Sequence, residues 1–366
     1  MTLIKPPHGG GAPAAALPSD QPSPSDQRPL GESPPPVVRR TPPAVGLSAA
    51  LLLLLAVLVL SLAVGAKQLS PGQAWQGLVD AGSPDYTVVH RMRLPRTLLG
   101  LLVGAALGLA GGVMQALTRN PLADPGLLGI NAGASAAVVS AISFAGITSF
   151  TGYVWFAFAG AAAVSVLVYA VGGGSGATPV RLILAGTAIN AALFSYVSAV
   201  QLLDTAALDR MRFWTVGSLA GPDAGSASLI APFIGVGTLL ALALARPLNA
   251  LALGEDAARA LGAHPARARA AAIVAITLLC GAATGACGPI VFVGLMVPHL
   301  VRALTGPDLR LQLPYCAVLA PVLLLGADVL GRVLARPAEL QVGIVTAVLG
   351  GPFFLYLVRR RRAAAA

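Results

Sequence analysis

The chain has 366 residues, of which 56% are hydrophobic and 10% are charged. A soluble domain carries about 25% charged residues, so this composition predicts a polytopic membrane protein. The formal charge of +10 would also fit a nucleic-acid partner, but the arginines stand between apolar runs and no basic cluster carries interleaved aromatic residues, so membrane topology explains the charge better.

Residues 1–43 are rich in Pro, Gly, Ser and Ala and show no apolar period. Such a segment cannot bury enough apolar surface to offset its ordering entropy, which predicts a disordered cytoplasmic tail. Residues 44–66 follow as the first predicted span, and Arg39 and Arg40 before it place the N-terminus in the cytoplasm. The end of this run resembles a signal-peptidase site. The apolar run is too long for a signal peptide, however, so we interpret it as a membrane anchor.

Nine further apolar segments are predicted as membrane spans of about 20 residues each. They lie near residues 96–117, 127–148, 153–171, 182–202, 226–245, 268–286, 289–304, 313–331 and 342–358. Ten spans place both termini in the cytoplasm, and most basic residues then fall on the cytoplasmic side, in agreement with the positive-inside rule. The transmembrane domain therefore covers residues 44–358, and residues 359–366 form a basic cytoplasmic C-terminus.

Glycine is unusually frequent in the spans, and the second span alone contains Gly100, Gly104, Gly108, Gly111 and Gly112. Small residues at a spacing of four allow helix backbones to pack closely inside lipid, where no hydrophobic effect drives the helices together. The pattern indicates a tight helical bundle. We predict no cofactor and no metal site, because the three cysteines lie in apolar runs without metal-ligand spacing and are typical small core residues.

Arginine on the predicted outer face is unexpected. Arg93 and Arg96 flank Pro95 at the start of the second span, and their spacing puts both side chains on one side of the helix entry. Arg332 lies at the outer end of the ninth span, with Asp328 one turn earlier as an i,i+4 partner. Two interpretations stay open: the arginines anchor the helix ends to lipid headgroups, or they receive carboxylates of an acidic docking partner.

Residues 246–269 form the longest polar interruption in the apolar part of the chain. Gly254 and Gly262 divide this loop into two short helices, because each glycine suits a left-handed C-terminal cap. Glu255 and Asp256 suit the first turn of the second helix, where exposed N–H groups favour negative charge. The alternative is a loop that merely connects two spans. If the loop is a docking element, its small-residue face consists of Ala257, Ala258 and Ala260. Another protein could approach this face closely.

The energy source can also be addressed from the sequence. Ion-coupled transporters usually carry buried acidic residues, and Asp328 is the one acidic residue expected near the membrane interior. The two lysines, Lys5 and Lys67, do not belong to a GxxxxGKS/T phosphate loop, so the chain is not predicted to bind ATP itself. Energy should therefore come from another subunit. A secondary transporter that works alone and a purely structural membrane anchor are the rival classes.

Four motifs in one register resemble the FecCD family, the iron–siderophore and cobalamin permeases of ATP-binding-cassette (ABC) importers. They are RLPRTLLGLLVGAALGLAGGVMQALTRNPLADPGLLGINAGA, GEDAARALG, GPIVFVGLMVPHLVR and ADVLGRVLARPAELQVGIVTAVLGGPFFLYLVRR. The resemblance covers about residues 48–360 and implies an all-α permease with ten helices, similar to a cobalamin-importer permease. It also implies a second permease subunit, two ATPase subunits inside and a substrate-binding protein outside.

The resemblance further implies roles for individual residues. Arg93, Arg96 and Arg332 match the basic positions that meet carboxylates of the binding protein, and the helix–Gly–helix loop matches the element set into the ATPase. Spans five and ten match the helices that line the path. The loop before span five, with Thr178, Pro179 and Val180, matches the cytoplasmic gate. Its proline departs from the pair of small polar residues that is usual in the family.

We therefore predict the permease subunit of an importer for an iron(III)–siderophore complex, located in the cytoplasmic membrane. The subunit moves its substrate inwards by alternating access and is not itself an enzyme. A cobalamin or haem permease is the alternative within the same class. A homodimer and a heterodimer of permease subunits both fit the residues.

Overall fold

A computed structural model of the chain describes residues 43–65, 67–147, 149–174, 178–220, 225–336 and 338–365. The tail predicted over residues 1–43 lies outside these ranges except for Pro43. Every regular element within them is a helix. The α-helices are α1 (Pro43–Ala63), α2 (Pro71–Val79), α3 (Tyr86–Val88), α4 (Leu94–Thr118), α5 (Ile130–Ala145), α6 (Phe150–Val171), α7 (Pro179–Leu203), α8 (Thr205–Trp214), α9 (Ser226–Ala243), α10 (Ala245–Ala252), α11 (Glu255–Ala260), α12 (Pro265–Cys287), α13 (Val293–Thr305), α14 (Leu309–Leu334) and α15 (Val342–Ala365). A π-helix, Val89–Arg93, joins α3 to α4, and a 3-10 helix, Pro125–Leu128, precedes α5.

Ten of these helices are apolar and coincide with the ten predicted spans, so the prediction of an all-α membrane protein is confirmed. Within the described residues, seven are long and apolar enough to cross a bilayer, namely α1, α4, α6, α7, α9, α12 and α14. The spans predicted over 127–148 and 289–304 correspond to the shorter helices α5 and α13. Each starts late because a left-handed residue precedes it, Gly129 with φ of 77° and Phe292 with φ of 69°.

Helix α4 forms the centre of the bundle, where it packs against α9, α12, α13 and α14. Its glycines permit this packing, as the sequence predicts. A Cβ added to Gly104 would lie 2.5 Å from the Cα of Pro321 in α14, and one added to Gly111 would lie 1.8 Å from the carbonyl oxygen of Gly294 in α13. Backbones this close leave no room for a side chain, so α4 is fixed against two neighbours along its length.

Three segments also pack backbone against backbone: the turn after α8, the end of α12 with the turn that follows it, and the first turn of α15. Two hydrogen bonds join them, because Ser218 N donates to Cys287 O at 2.8 Å and Gly343 N donates to Gly217 O at 3.1 Å. A Cβ on Gly343 would lie 1.8 Å from the carbonyl oxygen of Val216. These segments therefore form one fixed junction, which holds the first turn of α15 in place.

Candidate functional site

A cavity of about 630 Å³ lies between α5, α7, α15 and the junction of the three segments. None of its lining residues is ionisable. Polar lining groups are hydroxyls and amides, which alternate with aliphatic and aromatic side chains. The lining consists of Asn131, Ser135, Phe194, Val197, Ser198, Gln201, Thr215, Val216, Pro289, Val291, Gly343, Ile344, Ala347 and Val348. Such a surface can contact a large solute through apolar groups and weak neutral hydrogen bonds without selecting the sign of its charge.

Helices α7 and α15 supply most of this wall, and they are the fifth and tenth spans, which the family resemblance implies to be path-lining. Asn131 sits at the start of α5, and its Oδ1 accepts a hydrogen bond of 3.0 Å from Thr284 Oγ1 of α12. This bond fixes the Asn131 side chain on the wall. The sequence alone did not single out Asn131, because one asparagine after a glycine turn carries no distinctive pattern.

Arg93 is buried at the π-helix before α4, with 5% of its surface exposed. Its guanidinium donates to the carbonyl oxygens of Leu62 at 2.5 Å and Ala63 at 2.9 Å, and also to that of Lys67. The last carbonyls of a helix have no partner within the helix. Arg93 therefore caps the C-terminus of α1.

Arg332 caps the same helix from α14. It donates to Ser61 O at 3.0 Å, to Val64 O at 2.7 Å and to Ser61 Oγ at 3.0 Å. It also forms the predicted i,i+4 ion pair with Asp328, at 2.8 Å. Asp328 is fully buried and also receives Arg96, whose nitrogen lies 2.7 Å from its carboxylate. Arg96 extends outwards to Glu339, at 2.6 Å, and the Glu339 side chain is 35% exposed.

The three arginines therefore do not lie free at the surface, and their predicted role in docking stays a prediction. Arg332 is 2% exposed and the side chain of Arg96 is 12% exposed, and both are bonded within the chain. Arg93 and Arg96 also turn to different neighbours, not to one side of the helix entry. Uncapped carbonyls of α1 and the buried carboxylate of Asp328 draw these cations inwards. Anchoring to lipid headgroups does not describe Arg93 or Arg332 either.

The polar loop has the predicted helix–Gly–helix form. Gly262, with φ of 78°, follows α11 as expected. Gly254 separates α10 from α11, but with φ of 113° and ψ of 159° it is the N-cap residue of α11 and not a left-handed cap of α10. Nothing lies within 4 Å of a Cβ added at either glycine, so the backbone conformation and not crowding favours glycine there. Glu255 and Asp256 occupy the first turn of α11, as expected.

The predicted small-residue face of α11 is corrected at one position. Ala258 is fully buried, so it packs against the chain itself and is not available to a partner. A six-residue helix can bury only one side, and the period of the alanines did not show which side that is. Ala260 is exposed, and two leucines that the sequence interpretation passed over flank it on the surface, Leu253 at 69% and Leu261 at 67% exposed.

The two helices of the loop are tied to different parts of the bundle. Asn249 of α10 donates to Asp308 Oδ1 at 2.6 Å and accepts from Leu309 N at 3.1 Å, both at the start of α14. Arg119, at the end of α4, donates to the carbonyl of Leu251. Helix α11 is tied to α12 instead, through Glu255. The Arg269 guanidinium holds the pKa of the Glu255 carboxyl below its usual value, with a smaller contribution from Arg259.

The segment expected at the gate begins α7. Thr178 is the exposed N-cap residue, and its Oγ1 accepts a hydrogen bond of 3.4 Å from Arg181 N. Pro179 is the first residue of the helix, a position where its missing N–H costs nothing. Val180 is 65% exposed. The proline that departs from the expected small-polar pair therefore acts as a helix start.

A family model described as the FecCD transport family matches residues 53–360. The chain belongs to the FecCD family. It is 47% identical to the ferric enterobactin transport system permease protein FepD of Escherichia coli strain K12 over 307 residues, which are 82% of this chain and 91% of the relative. It is 42% identical to the Fe(3+)-citrate import system permease protein YfmD of Bacillus subtilis strain 168, over 83% of this chain and 91% of the relative.

A solved structure described as an inward-facing conformation of a metal-chelate type ABC transporter superposes with a TM-score of 0.77 at 30% identity. The match covers 87% of this chain and 99% of that one. The FecCD match extends from within α1 to within α15 and includes the cavity, the capped outer ends and the polar loop. This FecCD chain is thus a multi-pass membrane protein with the fold of a permease.

Proposed function

We propose that this FecCD chain is the permease subunit of an ABC importer that moves an iron(III)–siderophore complex into the cytoplasm. The observation that carries the proposal is the cavity of about 630 Å³ with neutral lining, bounded by the two predicted path helices α7 and α15. Alternating access would expose it to one side of the membrane at a time. A second permease copy, or a homologous subunit, would complete the wall of the path.

The neutral lining supports a metal chelate as cargo. A chelate hides its ion inside an organic shell, so the wall needs no charged ligands and need not hold the cargo tightly. The two relatives named above are permeases for ferric enterobactin and Fe(3+)-citrate, and a further relative, 39% identical, is a hemin transport permease. We choose the siderophore class because the two relatives with higher identity transport ferric chelates.

We propose that an ATPase subunit binds the polar loop on the cytoplasmic side. Its docking surface would consist of the exposed side of α11 with Leu253, Ala260 and Leu261. Exposed apolar residues next to Glu255 and Asp256 suit an interface with an apolar centre and a polar rim. Gly254 and Gly262 give the loop the angle at which α11 is presented. Ala258 supports this surface from within.

We propose that the binding protein docks over the outer ends of α4 and α14. Arg93 and Arg332 would act there as positioning residues, because they hold α1 against these helices. Arg96 would take part more directly, since its partner Glu339 is about one-third exposed. The cytoplasmic gate at Thr178, Pro179 and Val180, and the cytoplasmic location of both termini, belong to the same proposal.

The test is uptake by proteoliposomes that contain the permease, its ATPase and its binding protein. Radioactive ferric siderophore should accumulate only with ATP on the ATPase side, and a protonophore should leave uptake unchanged. Ala347→Trp fills the cavity wall and should abolish uptake, whereas Val166→Trp, an outward-facing change on α6, should preserve it. Uptake without ATP that collapses with a protonophore would show a secondary transporter, and accumulation of cobalamin or haem alone would change the substrate class.

A matched glycine pair tests the junction that closes one end of the cavity. Gly343 and Gly351 both lie in α15, but a Cβ at Gly343 would meet Val216 O at 1.8 Å, whereas one at Gly351 meets nothing within 4 Å. Gly343→Ala should therefore reduce uptake severely, and Gly351→Ala should not. Equal uptake by both variants would remove the junction from the proposed path.

A further inference from the structure

A second, smaller cavity of about 180 Å³ lies at the opposite end of α4 from Arg96. It is enclosed by the last turns of α4, by α10, by Arg302 near the end of α13 and by the start of α14. Its polar lining residues are Gln115, Arg119, Asn249, Arg302 and Gln312. The transport proposal makes no use of this space, which is too small for a metal chelate.

Two guanidinium groups line the cavity without an acidic counterpart in its wall. Arg302 forms no hydrogen bond or ion pair with the residues that the structure describes, and Arg119 donates to the carbonyl of Leu251. The nearby carboxylate of Asp308 is already engaged by Asn249 Nδ2 and by Arg310 N. Both arginines are exposed at this site, and arginine guanidinium groups are suited to phosphate oxygens.

A buried amide adds an independent observation. Gln115 is 2% exposed and lines the cavity, and its Nε2 donates to Leu295 O at 3.1 Å. Because that bond fixes the amide orientation, Oε1 is an acceptor, and it has no partner in the structure. A buried acceptor without a donor is costly, so a small turn of this side chain towards an occupant with a hydroxyl group would satisfy it.

We propose that this cavity binds a phosphate group that carries a hydroxyl, with its charged oxygens on Arg119 and Arg302 and its hydroxyl on Gln115. The headgroup of an anionic phospholipid such as phosphatidylglycerol has this chemistry, and so does hydrogen phosphate. Basic pockets between transmembrane helices on the cytoplasmic side are typical lipid headgroup sites. An occupant would join α4, α13 and α10, and would brace the first helix of the polar loop against the bundle. This bracing role rests on the proposed function, whereas binding does not.

Binding is tested on the purified full-length chain by its thermal unfolding midpoint. In the first arm, the midpoint is measured in neutral-lipid nanodiscs as inorganic phosphate is added, with chloride at equal ionic strength as reference. In the second arm, it is measured in nanodiscs with and without phosphatidylglycerol. Arg302→Gln removes one cation and breaks no bond within the described chain. Arg310→Gln, an exposed arginine that does not line the cavity, is the matched control.

We expect a saturable rise of the midpoint for the wild type and for Arg310→Gln, and an apparent Kd at least about tenfold weaker for Arg302→Gln, which corresponds to 1.4 kcal/mol. A response to phosphatidylglycerol alone identifies a lipid site, and a response to inorganic phosphate identifies a free anion. No response to either probe overturns the proposal. If Arg302→Gln instead lowers copurification of the ATPase while neither probe binds, the cavity receives an acidic side chain of that partner. Failure of siderophore uptake leaves the binding result unaffected.

Discussion

Two regions contain several charged residues but use them in opposite ways: the ends of α1, α4 and α14 that the sequence predicts to face outwards (the outer ends), and the polar loop α10–α11. At the outer ends the side chains of Arg93, Arg332 and Asp328 are buried and bonded within the chain. In the loop, Arg259 pairs with Glu255 on an open surface, with 60% and 40% of their side chains exposed. Charge in one region therefore holds helices together, whereas in the other it lies beside the exposed surface of Leu253, Ala260 and Leu261.

The same difference decides which charges are expected to matter for stability. A buried ion pair has lost its hydration, so removal of one partner leaves an uncompensated charge. An exposed pair exchanges its bond for water at little cost. The predictions below test the contrast between the two regions, from the largest expected effect to the smallest.

Arg332→Gln should have the largest effect. The change leaves Asp328 with Arg96 alone and removes the donor from two carbonyls at the end of α1. Breaking a buried pair costs about 3–5 kcal/mol. Unfolding of the purified protein in detergent should show a loss of this size. Arg336→Gln is the control, because among the described residues Arg336 makes a single long bond, to Gly65 O at 3.4 Å. Equal losses for the two variants would contradict the assignment of Arg332 to the core.

Substitutions at two alanines of α11 should separate folding from docking. Ala258 is fully buried, so Ala258→Trp should overpack the chain. We expect it to lower the free energy of unfolding by about 3 kcal/mol. Ala260→Trp, on the exposed side, should leave the unfolding midpoint unchanged and reduce copurification of the ATPase.

Each outcome for the alanine pair has a clear meaning. A stable Ala258→Trp variant would show that this position is not packed as described. Wild-type yield of the ATPase with Ala260→Trp would show that this side of α11 is not the docking surface.

Arg93→Gln should have an intermediate and local effect. The carbonyl of Leu62 loses the Arg93 donor, whereas the carbonyl of Ala63 still accepts from Leu69 N, so the cost should lie in the lower part of about 1–3 kcal/mol. Hydrogen–deuterium exchange should increase in peptides at the end of α1 and stay unchanged in α11. Arg91→Gln, a substitution of an exposed neighbour, should change neither. Unchanged exchange at the end of α1 would mean that Arg93 does not cap it.

The comparison also explains how far the sequence could lead. Apolar run lengths predicted the ten apolar helices, and glycine and proline positions predicted the form of the loop, because these features depend on residues close in the chain. The i,i+4 pair of Asp328 and Arg332 was predicted for the same reason. The partners of Arg93 lie more than 25 positions earlier, and Arg96 is joined to a residue 232 positions away. No local pattern encodes such contacts.

The sequence could not predict which single residue of a short helix is buried either. Ala258 and Ala260 are both alanines of α11, and their exposure differs only because α12 and the rest of the loop cover one side. The neutral lining of the transport cavity was not predicted either. Its residues come from three helices and two turns that are adjacent only after folding.

Glu255→Gln should have the smallest effect on stability. Glu255 pairs with Arg259 at the surface and with Arg269, whose side chain is 13% exposed, so its replacement should change the free energy of unfolding by no more than about 1 kcal/mol at pH 7. Its folded pKa lies below the ordinary value of 4.5, so the stabilisation is present above about pH 4.5 and is lost as the pH falls through the folded pKa. Unfolding midpoints of the two proteins should therefore differ slightly at pH 7 and converge in more acidic buffer. A loss as large as that of Arg332→Gln would mean that the ion pairs of the loop hold the fold together in the same way as those of the outer ends.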